Sequence, residues 1–328
     1  MLILNKMYMY SFSSVLILFF FMMNTSSLYI QWLFMEFSTI TMISMINIKS
    51  KNKIVSILYY LISSISSLLI ILIISLNFSQ LLLFYNVDIN KLLYISLFLK
   101  TGMFPFSFWM IYIYNLSSWN QIFLISTFMK FIPIYFFSSL INFSPNLLIF
   151  LILNNIFISL YTNLNFSIKK LFACSSIFNT LFFIITLNLN KNLFILLLFI
   201  YLFMLSIMTI LLNFYNIDNF NFTNLSTNSY NLMIIMLLIY SSFPLFLSFM
   251  FKWEFTYMIS VNINNNMIIL LMLSSMLMMW NYYILFKYLI LKFKFNKSMK
   301  KFEIFNMKTL IILTILIYSI MFLSFNMI

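Results

Sequence analysis

The sequence predicts an all-α membrane protein with about eleven transmembrane helices. Of its 328 residues, 64% are hydrophobic and 7% are charged, whereas soluble domains average about 45–50% apolar and about 25% charged residues. No soluble fold could bury so much apolar surface. The apolar runs are about as long as the roughly 20 residues that cross a bilayer. They are uniformly apolar and do not alternate, which favours helices over a β-barrel.

Polar residues between the apolar runs divide the chain into eleven predicted spans of a single transmembrane domain, residues 1–328. The spans are 4–24, 27–48, 54–76, 91–114, 119–141, 146–163, 168–188, 192–214, 231–261, 266–287 and 308–327. Longer polar connections are predicted at 77–90, 215–230 and 288–307, and none of them could hold a soluble domain. The first run follows Lys6 as in a signal peptide. No small-residue cleavage site follows it and further spans do, so we interpret it as a span.

The lysines predict which side of the membrane each loop faces. With eleven spans, thirteen of the eighteen lysines fall on the side of the N-terminus, and only Lys91 and Lys191 fall in loops on the other side. Basic residues accumulate in loops on the side of synthesis, so the N-terminus is predicted to face that compartment and the C-terminus the opposite one. An even number of spans would destroy this asymmetry. Topology therefore explains the net charge of +13 without a nucleic-acid partner.

The residue usage excludes several kinds of site. The chain has 43 Phe and 26 Met but one Gly, one Ala (Ala173) and no Arg, a bias toward A/T-rich codons that is typical of an organelle or symbiont genome. A single cysteine, Cys174, cannot form an internal disulfide, and without histidine no zinc, haem or copper site is expected. We therefore predict no metal and no redox centre in this chain.

Five ionisable residues lie inside the apolar runs: Glu36, Lys100, Lys130, Lys252 and Glu254. A charge at the centre of a membrane helix costs about 2.5–3.5 kcal/mol, so such residues need compensation and usually mark a function. Lysine suits proton transfer, because burial disfavours its charge while a nearby carboxylate favours it. Glu36 is the predicted carboxylate partner, and Glu254 is secondary because it lies near a span end. Purely structural ion pairs, or lysines that reach the interface, are the alternative interpretation.

Two predicted helix breaks accompany these lysines. Gly102 and Pro105 follow Lys100, and Ser242-Phe243-Pro244 precedes Lys252 in a span too long for one straight helix. Glycine loosens a helix and proline removes a backbone hydrogen bond. A helix that ends just after Lys100 would direct its carbonyl groups at the lysine and stabilise the cation.

Five segments resemble the chain 2 family of NADH-ubiquinone oxidoreductases, which are antiporter-like membrane-arm subunits of respiratory complex I. Residues 31–36 are similar to the family's tryptophan-to-glutamate motif, 100–109 to Lys-x-Gly-x-x-Pro-Phe-His-Phe-Trp, 127–133 to Thr-Trp-Gln-Lys-x-x-Pro, 169–177 to a basic pair followed by Leu-Ala-Tyr-Ser-Ser-Ile, and 243–253 to Gly-Leu-Pro through Pro-Lys-Trp. Ser107 stands where the family has histidine, and Tyr59 and Tyr60 lie in a stretch where a further lysine is usual.

The resemblance implies an antiporter-like bundle with two broken helices, in the mitochondrial inner membrane. It implies proton translocation through Glu36, Lys100, Lys130 and Lys252, coupled to electron transfer in other subunits. NADH, FMN, iron–sulfur clusters and ubiquinone are then expected on those other subunits. Expected partners are the other membrane-arm subunits, including neighbouring antiporter-like chains, and membrane lipids. The N-terminus would face the matrix and the C-terminus the intermembrane space.

Two other classes of protein remain open from the residues alone. Intramembrane lysines also mark transport paths, so the chain could be an autonomous cation/proton antiporter or a lipid-linked flippase. It could also be a structural membrane scaffold whose charges hold helices together. A subunit is found only in a large assembly, whereas a carrier is active alone in vesicles, so purification distinguishes these hypotheses.

Overall fold

The structure, a computed structural model, describes residues 2–49, 53–78, 86–140, 145–164, 167–189, 191–215, 217, 227–242, 252, 256 and 265–295. The described residues are almost entirely helical and contain no strand. The helices are α1 (Leu2–Asn24), α2 (Leu28–Lys49), α3 (Ile54–Phe78), α4 (Asn86–Thr101), α5 (Ser107–Leu116), α6 (Trp119–Ser126), α7 (Phe128–Leu140), α8 (Pro145–Leu164), α9 (Ile168–Leu189), α10 (Lys191–Phe214), α11 (Thr227–Tyr240) and α12 (Asn265–Phe295).

Six segments of these helices are long and apolar enough to cross a membrane. They are Ile54–Ser75, Trp119–Leu140, Pro145–Asn163, Ile168–Leu189, Lys191–Phe214 and Asn266–Lys287, by length and composition within the described residues. The all-helical, multi-pass character of the prediction is thereby confirmed. The count of eleven spans stays a prediction, and the predicted span 308–327 lies outside the described residues.

One face of α3 is a stripe of exposed apolar side chains, which water would solvate poorly. Large apolar side chains that are about half exposed recur along it every three or four residues: Ile57, Leu61, Ile65, Leu68 and Leu72. This spacing places them on one stripe of the helix. The opposite face is buried and includes Tyr59 and Ser66. A continuous apolar stripe of this kind suits lipid contact.

Helices extend into two of the predicted connections. The predicted span 266–287 coincides with the membrane-length segment Asn266–Lys287, but α12 itself continues to Phe295, so the first part of the predicted connection 288–307 is helical. Residues 288–295 contain no glycine or proline, and leucine and lysine are good helix formers, so nothing in the sequence ends the helix there. The connection predicted at 77–90 is also shorter, because α3 runs to Phe78 and α4 begins at Asn86.

The chain forms two compact units. The first comprises Met1–Ile158 and Phe172–Lys191, and the second comprises Ser159–Leu171 and Asn192–Ile328. In the first unit α1 packs against α2, α3 against α4, and α7 against both α2 and α4. In the second unit α11 packs against α12. The interpretation of residues 1–328 as a single domain stays a prediction.

Candidate functional site

Glu36 and Lys100 form an ion pair inside the first unit. Glu36 lies on α2 and Lys100 in the last turn of α4, and the lysine Nζ donates to Glu36 Oε1 at 2.6 Å. The Lys100 side chain is fully buried, while the Glu36 side chain keeps 22% of its surface exposed. The predicted pairing of these two residues is confirmed. Their part in proton transfer stays a prediction.

The end of α4 is fixed by the chain's only glycine. Gly102 has a φ of +69°, and the Met103 N–H donates to the Phe98 carbonyl at 2.9 Å. This combination is the Schellman arrangement that ends a helix with a left-handed residue. A Cβ added to Gly102 would lie 2.8 Å from Met110 Cβ, too close for any side chain without rearrangement. Both the backbone and the available space therefore require glycine here.

The helix is interrupted after Lys100, in the segment that contains Gly102 and Pro105. The assignment of this interruption to one of the family's two broken helices stays a prediction. The chain leaves α4 at Thr101 and enters α5 at Ser107. Lys100 therefore lies at a helix end, where unsatisfied carbonyl groups favour a cation. Ser107, which stands at the family's histidine position, begins α5 and is buried.

Lys130 lies in the first turn of α7 and contacts only neutral groups among the described residues. It is 2% exposed, and its Nζ donates to Ser176 Oγ on α9 at 2.9 Å. The Cys174 thiol is within electrostatic range of it. The helix is interrupted just before Lys130 at Thr127, which separates α6 from α7 with φ −105° and ψ −97°. This second interruption was not predicted.

Ser176 connects Lys130 to α5. Its hydroxyl donates to the Ala173 carbonyl at 2.7 Å and lies 3.0 Å from the Tyr114 hydroxyl. A serine hydroxyl has one hydrogen and accepts two hydrogen bonds. With that hydrogen on Ala173, Tyr114 must be the donor, so Ser176 accepts from Tyr114 and from Lys130. Sequence reasoning missed Tyr114, and it noted Ser176 only within a family motif.

Tyr59 on α3 interacts with groups that neighbour both lysines. It is buried, and its hydroxyl donates to the carbonyl of Met129, the residue before Lys130, at 3.4 Å. The same tyrosine is within electrostatic range of Glu36, and its ring centroid lies 5.8 Å from that of Trp109 in an edge-on arrangement. In the stretch where the family usually has a lysine, this chain therefore has a buried hydroxyl.

Lys252 belongs to the second unit. It is partly buried, and its Nζ makes a close hydrogen bond to Ser242 Oγ. Ser242 follows the end of α11 and has a φ of 59°, a left-handed conformation that is uncommon outside glycine. The remaining residues of the predicted break, Phe243 and Pro244, lie outside the described residues, as does Glu254.

The fold and this site define a class: an α-helical multi-pass membrane protein with a carboxylate–lysine pair whose lysine is buried, and with a second buried lysine. No protein-family model matches the chain. It is 42% identical over 299 residues to the NADH-ubiquinone oxidoreductase chain 2 of Apis mellifera ligustica, a match that covers 91% of this chain and 90% of the honeybee protein. The chain belongs to the NADH-ubiquinone oxidoreductase chain 2 family, whose members are membrane proteins of the respiratory chain.

Proposed function

We propose that this chain is a proton-translocating membrane-arm subunit of mitochondrial complex I, and that Glu36, Lys100, Lys130 and Lys252 carry the protons. The chain takes part in NADH:ubiquinone oxidoreduction as a subunit with no redox centre of its own. NADH, FMN, the iron–sulfur clusters and ubiquinone are bound by other subunits. Its partners are the other membrane-arm subunits, with antiporter-like chains beside it, and the surrounding lipids.

The observation that carries the proposal is the Glu36–Lys100 pair inside a helical membrane unit. The two residues are 64 positions apart in sequence and meet at 2.6 Å with the lysine fully buried. Buried ion pairs are rarely the most stable choice, because desolvation of both ions offsets their attraction. Charged residues inside membrane helices are therefore usually retained for function.

The Glu36–Lys100 pair can also change its protonation if the carboxylate moves. A carboxylate that moves away from a buried lysine removes the group that favours its charge, and the lysine can then release its proton. The Glu36 side chain keeps 22% of its surface exposed, so it is not fully enclosed by the protein. The Lys100 side chain, by contrast, is fully buried at the end of α4. Movement of the carboxylate is thus the simpler way to load and unload this site.

Lys130 is the proposed second carrier. It is buried beside Ser176 and Tyr114, which are neutral groups able to donate and accept hydrogen bonds. Moving one charge against a membrane potential costs about 2.3 kcal/mol per 100 mV. If a proton passes between several ionisable residues, each transfer works against only part of the membrane potential. Lys252, bonded to Ser242, is the proposed third lysine of the relay.

The orientation of the proposed subunit follows from the lysines. The thirteen lysines on the N-terminal side support an orientation with that side in the matrix and the C-terminus in the intermembrane space. Protease access to the lysine-rich region 288–307 in mitoplasts tests this orientation. Cleavage there from the outer face of intact mitoplasts would reverse it.

The deciding experiment is Lys130→Met in complex I assembled with this chain, reconstituted in vesicles. Methionine is of similar size and uncharged, so we expect normal assembly with a lower proton flux per NADH oxidised, or lower coupled turnover. The matched control is Lys191→Met, at an exposed lysine that begins α10, which we expect to leave both quantities unchanged.

Three results would contradict the proposal. Normal assembly with unaltered proton flux after Lys130→Met would remove this lysine from the relay. Lost assembly with an unchanged flux per NADH in the surviving complex would favour the structural scaffold. Cation/proton exchange by the purified chain alone would favour an autonomous antiporter.

A further inference from the structure

The non-helical segment 102–106, between α4 and α5, lies within the predicted span 91–114 and would need hydrogen-bond partners at membrane depth. Gly102 turns the backbone out of α4, and α5 begins at Ser107. Lipid offers no hydrogen bonds, so irregular backbone at membrane depth is tolerated only where protein or trapped water satisfies its polar groups. The Met103 N–H is satisfied by Phe98, within the end of α4 itself. The next N–H belongs to Phe104.

Asn154 on α8 supplies the partner of Phe104. Its side-chain Oδ1 accepts the Phe104 N–H at 2.7 Å, and Asn154 is completely buried. The Phe104 ring also stacks on Phe157, one turn further along α8, with centroids 4.3 Å apart and planes at 16°. The segment is therefore held to α8 by one hydrogen bond and one aromatic contact.

The orientation of the Asn154 amide is determined by its two contacts. Its Nδ2 donates to Asn155 Oδ1 at 3.2 Å, which leaves Oδ1 facing Phe104. An N–H donor on the backbone requires an acceptor, so the reverse orientation would bury two donors against each other. Asn154 is thus a specific acceptor for the segment.

We propose that Asn154 is a positioning residue for Lys100. The backbone between Lys100 and Phe104 is constrained at two positions. Gly102 has a left-handed backbone and packs closely against Met110. The Thr101 hydroxyl donates to the Leu97 carbonyl. Holding Phe104 therefore holds the end of α4 and, with it, the direction of the lysine toward Glu36. This inference rests on the proposed relay through Lys100.

The test compares Asn154→Leu with Asn154→Asp in complex I assembled with this chain. Leucine is similar in size but cannot accept the hydrogen bond. Aspartic acid, which burial favours in its neutral form, keeps an acceptor oxygen for Phe104 and a hydroxyl that can donate to Asn155 Oδ1. A misplacement of about 1 Å can cost about 100-fold in rate, so we expect Asn154→Leu to lower proton-coupled NADH turnover by about tenfold or more. Asn154→Asp should restore most of it. The control is Leu151→Ala, which removes buried packing from α8 without removing a hydrogen bond and should leave the proton flux per NADH unchanged.

A double variant separates positioning from general stability. If Asn154 acts through Lys100, then Asn154→Leu should have no further effect on turnover once Lys100→Met is present, because groups that act as a unit are not additive. Additive losses would overturn the inference. So would normal turnover in Asn154→Leu when Lys100→Met alone is defective, and that result would leave the proposed relay intact.

The Lys100→Met variant and the assembly of Asn154→Leu provide two further tests. Normal turnover and flux in Lys100→Met would refute the relay at this lysine and this inference with it. If Asn154→Leu prevents assembly, Asn154→Ala and Asn154→Asp decide: recovery by Asp but not by Ala supports the acceptor role, and equal behaviour of the two contradicts it.

Discussion

Lys100 and Lys130 are both buried in the first compact unit, yet different groups surround them. Lys100 lies at the end of α4, against the Glu36 carboxylate. Lys130 lies after the interruption at Thr127, against the hydroxyl of Ser176. One site therefore contains a counter-charge and the other, among the described residues, contains neutral partners.

Because only Lys100 has a counter-charge, substitutions at the two lysines should affect assembly and proton transfer differently. At Lys100 the charge is part of the structure, because removing one member of a buried pair leaves the other uncompensated. At Lys130 a neutral substitute leaves no charge behind. Substitutions at the first site should therefore disturb assembly as well as proton transfer, whereas those at the second should disturb proton transfer alone.

The largest effect is expected from Glu36→Gln. It leaves Lys100 without its carboxylate, and breaking a buried pair costs about 3–5 kcal/mol, with the partial exposure of Glu36 favouring the lower end. We expect much less assembled complex I, measured on native gels. The double variant Glu36→Gln/Lys100→Met should recover assembly but not proton pumping. Equal assembly of Glu36→Gln and Lys130→Met would contradict the distinction between the two sites.

A smaller loss of assembly is expected from Gly102→Ala. A left-handed backbone costs an L-residue about 1–2 kcal/mol, and here the new Cβ would also meet Met110 at 2.8 Å. The control is Ser96→Ala on α4, at a buried position with helical backbone. If Gly102→Ala assembled as well as this control, the end of α4 would be more adaptable than its geometry indicates.

The sequence was sufficient to predict the features that depend on local composition. Long apolar runs predict membrane helices because lipid solvates no backbone groups. The pairing of Glu36 with Lys100 was predictable because acids are so rare in this chain. The interruption after Lys100 was predictable because Gly102 is the single glycine in a composition that otherwise excludes it.

The neutral members of the site could not be predicted. Serine, asparagine and tyrosine are abundant throughout this chain, so nothing in the sequence distinguishes Ser176, Asn154 or Tyr114 from the others. Their roles depend on which helices pack together, and the interacting residues are 46 to 62 positions apart. The interruption at Thr127 also lacks a local signal, because the residues around it contain neither glycine nor an adjacent proline.

Tyr114→Phe tests the neutral site directly. It removes the hydroxyl that donates to Ser176, and one such hydrogen bond contributes about 0.5–1.5 kcal/mol. We expect normal assembly and a severalfold lower proton-coupled turnover, measured in reconstituted vesicles. Tyr112→Phe is the matched control, since Tyr112 lies on the same helix but is exposed. A loss of assembly in Tyr114→Phe would show that the hydroxyls around Lys130 are structural.

The smallest effect is expected from Tyr59→Phe, which tests whether the two lysine sites are joined. The Tyr59 hydroxyl reaches the Met129 carbonyl at 3.4 Å, beyond the roughly 2.5–3.0 Å of a strong O–H···O bond, so its loss should cost well under about 1 kcal/mol. We therefore expect normal assembly and less than about a twofold change in proton flux per NADH, a difference of at most about 0.4 kcal/mol at about 1.4 kcal/mol per tenfold. Tyr60→Phe, at the exposed neighbouring position, is the control. A loss as large as that of Lys130→Met would mean that protons pass between the Glu36–Lys100 pair and Lys130 through this hydroxyl, and the two sites would have to be treated as one.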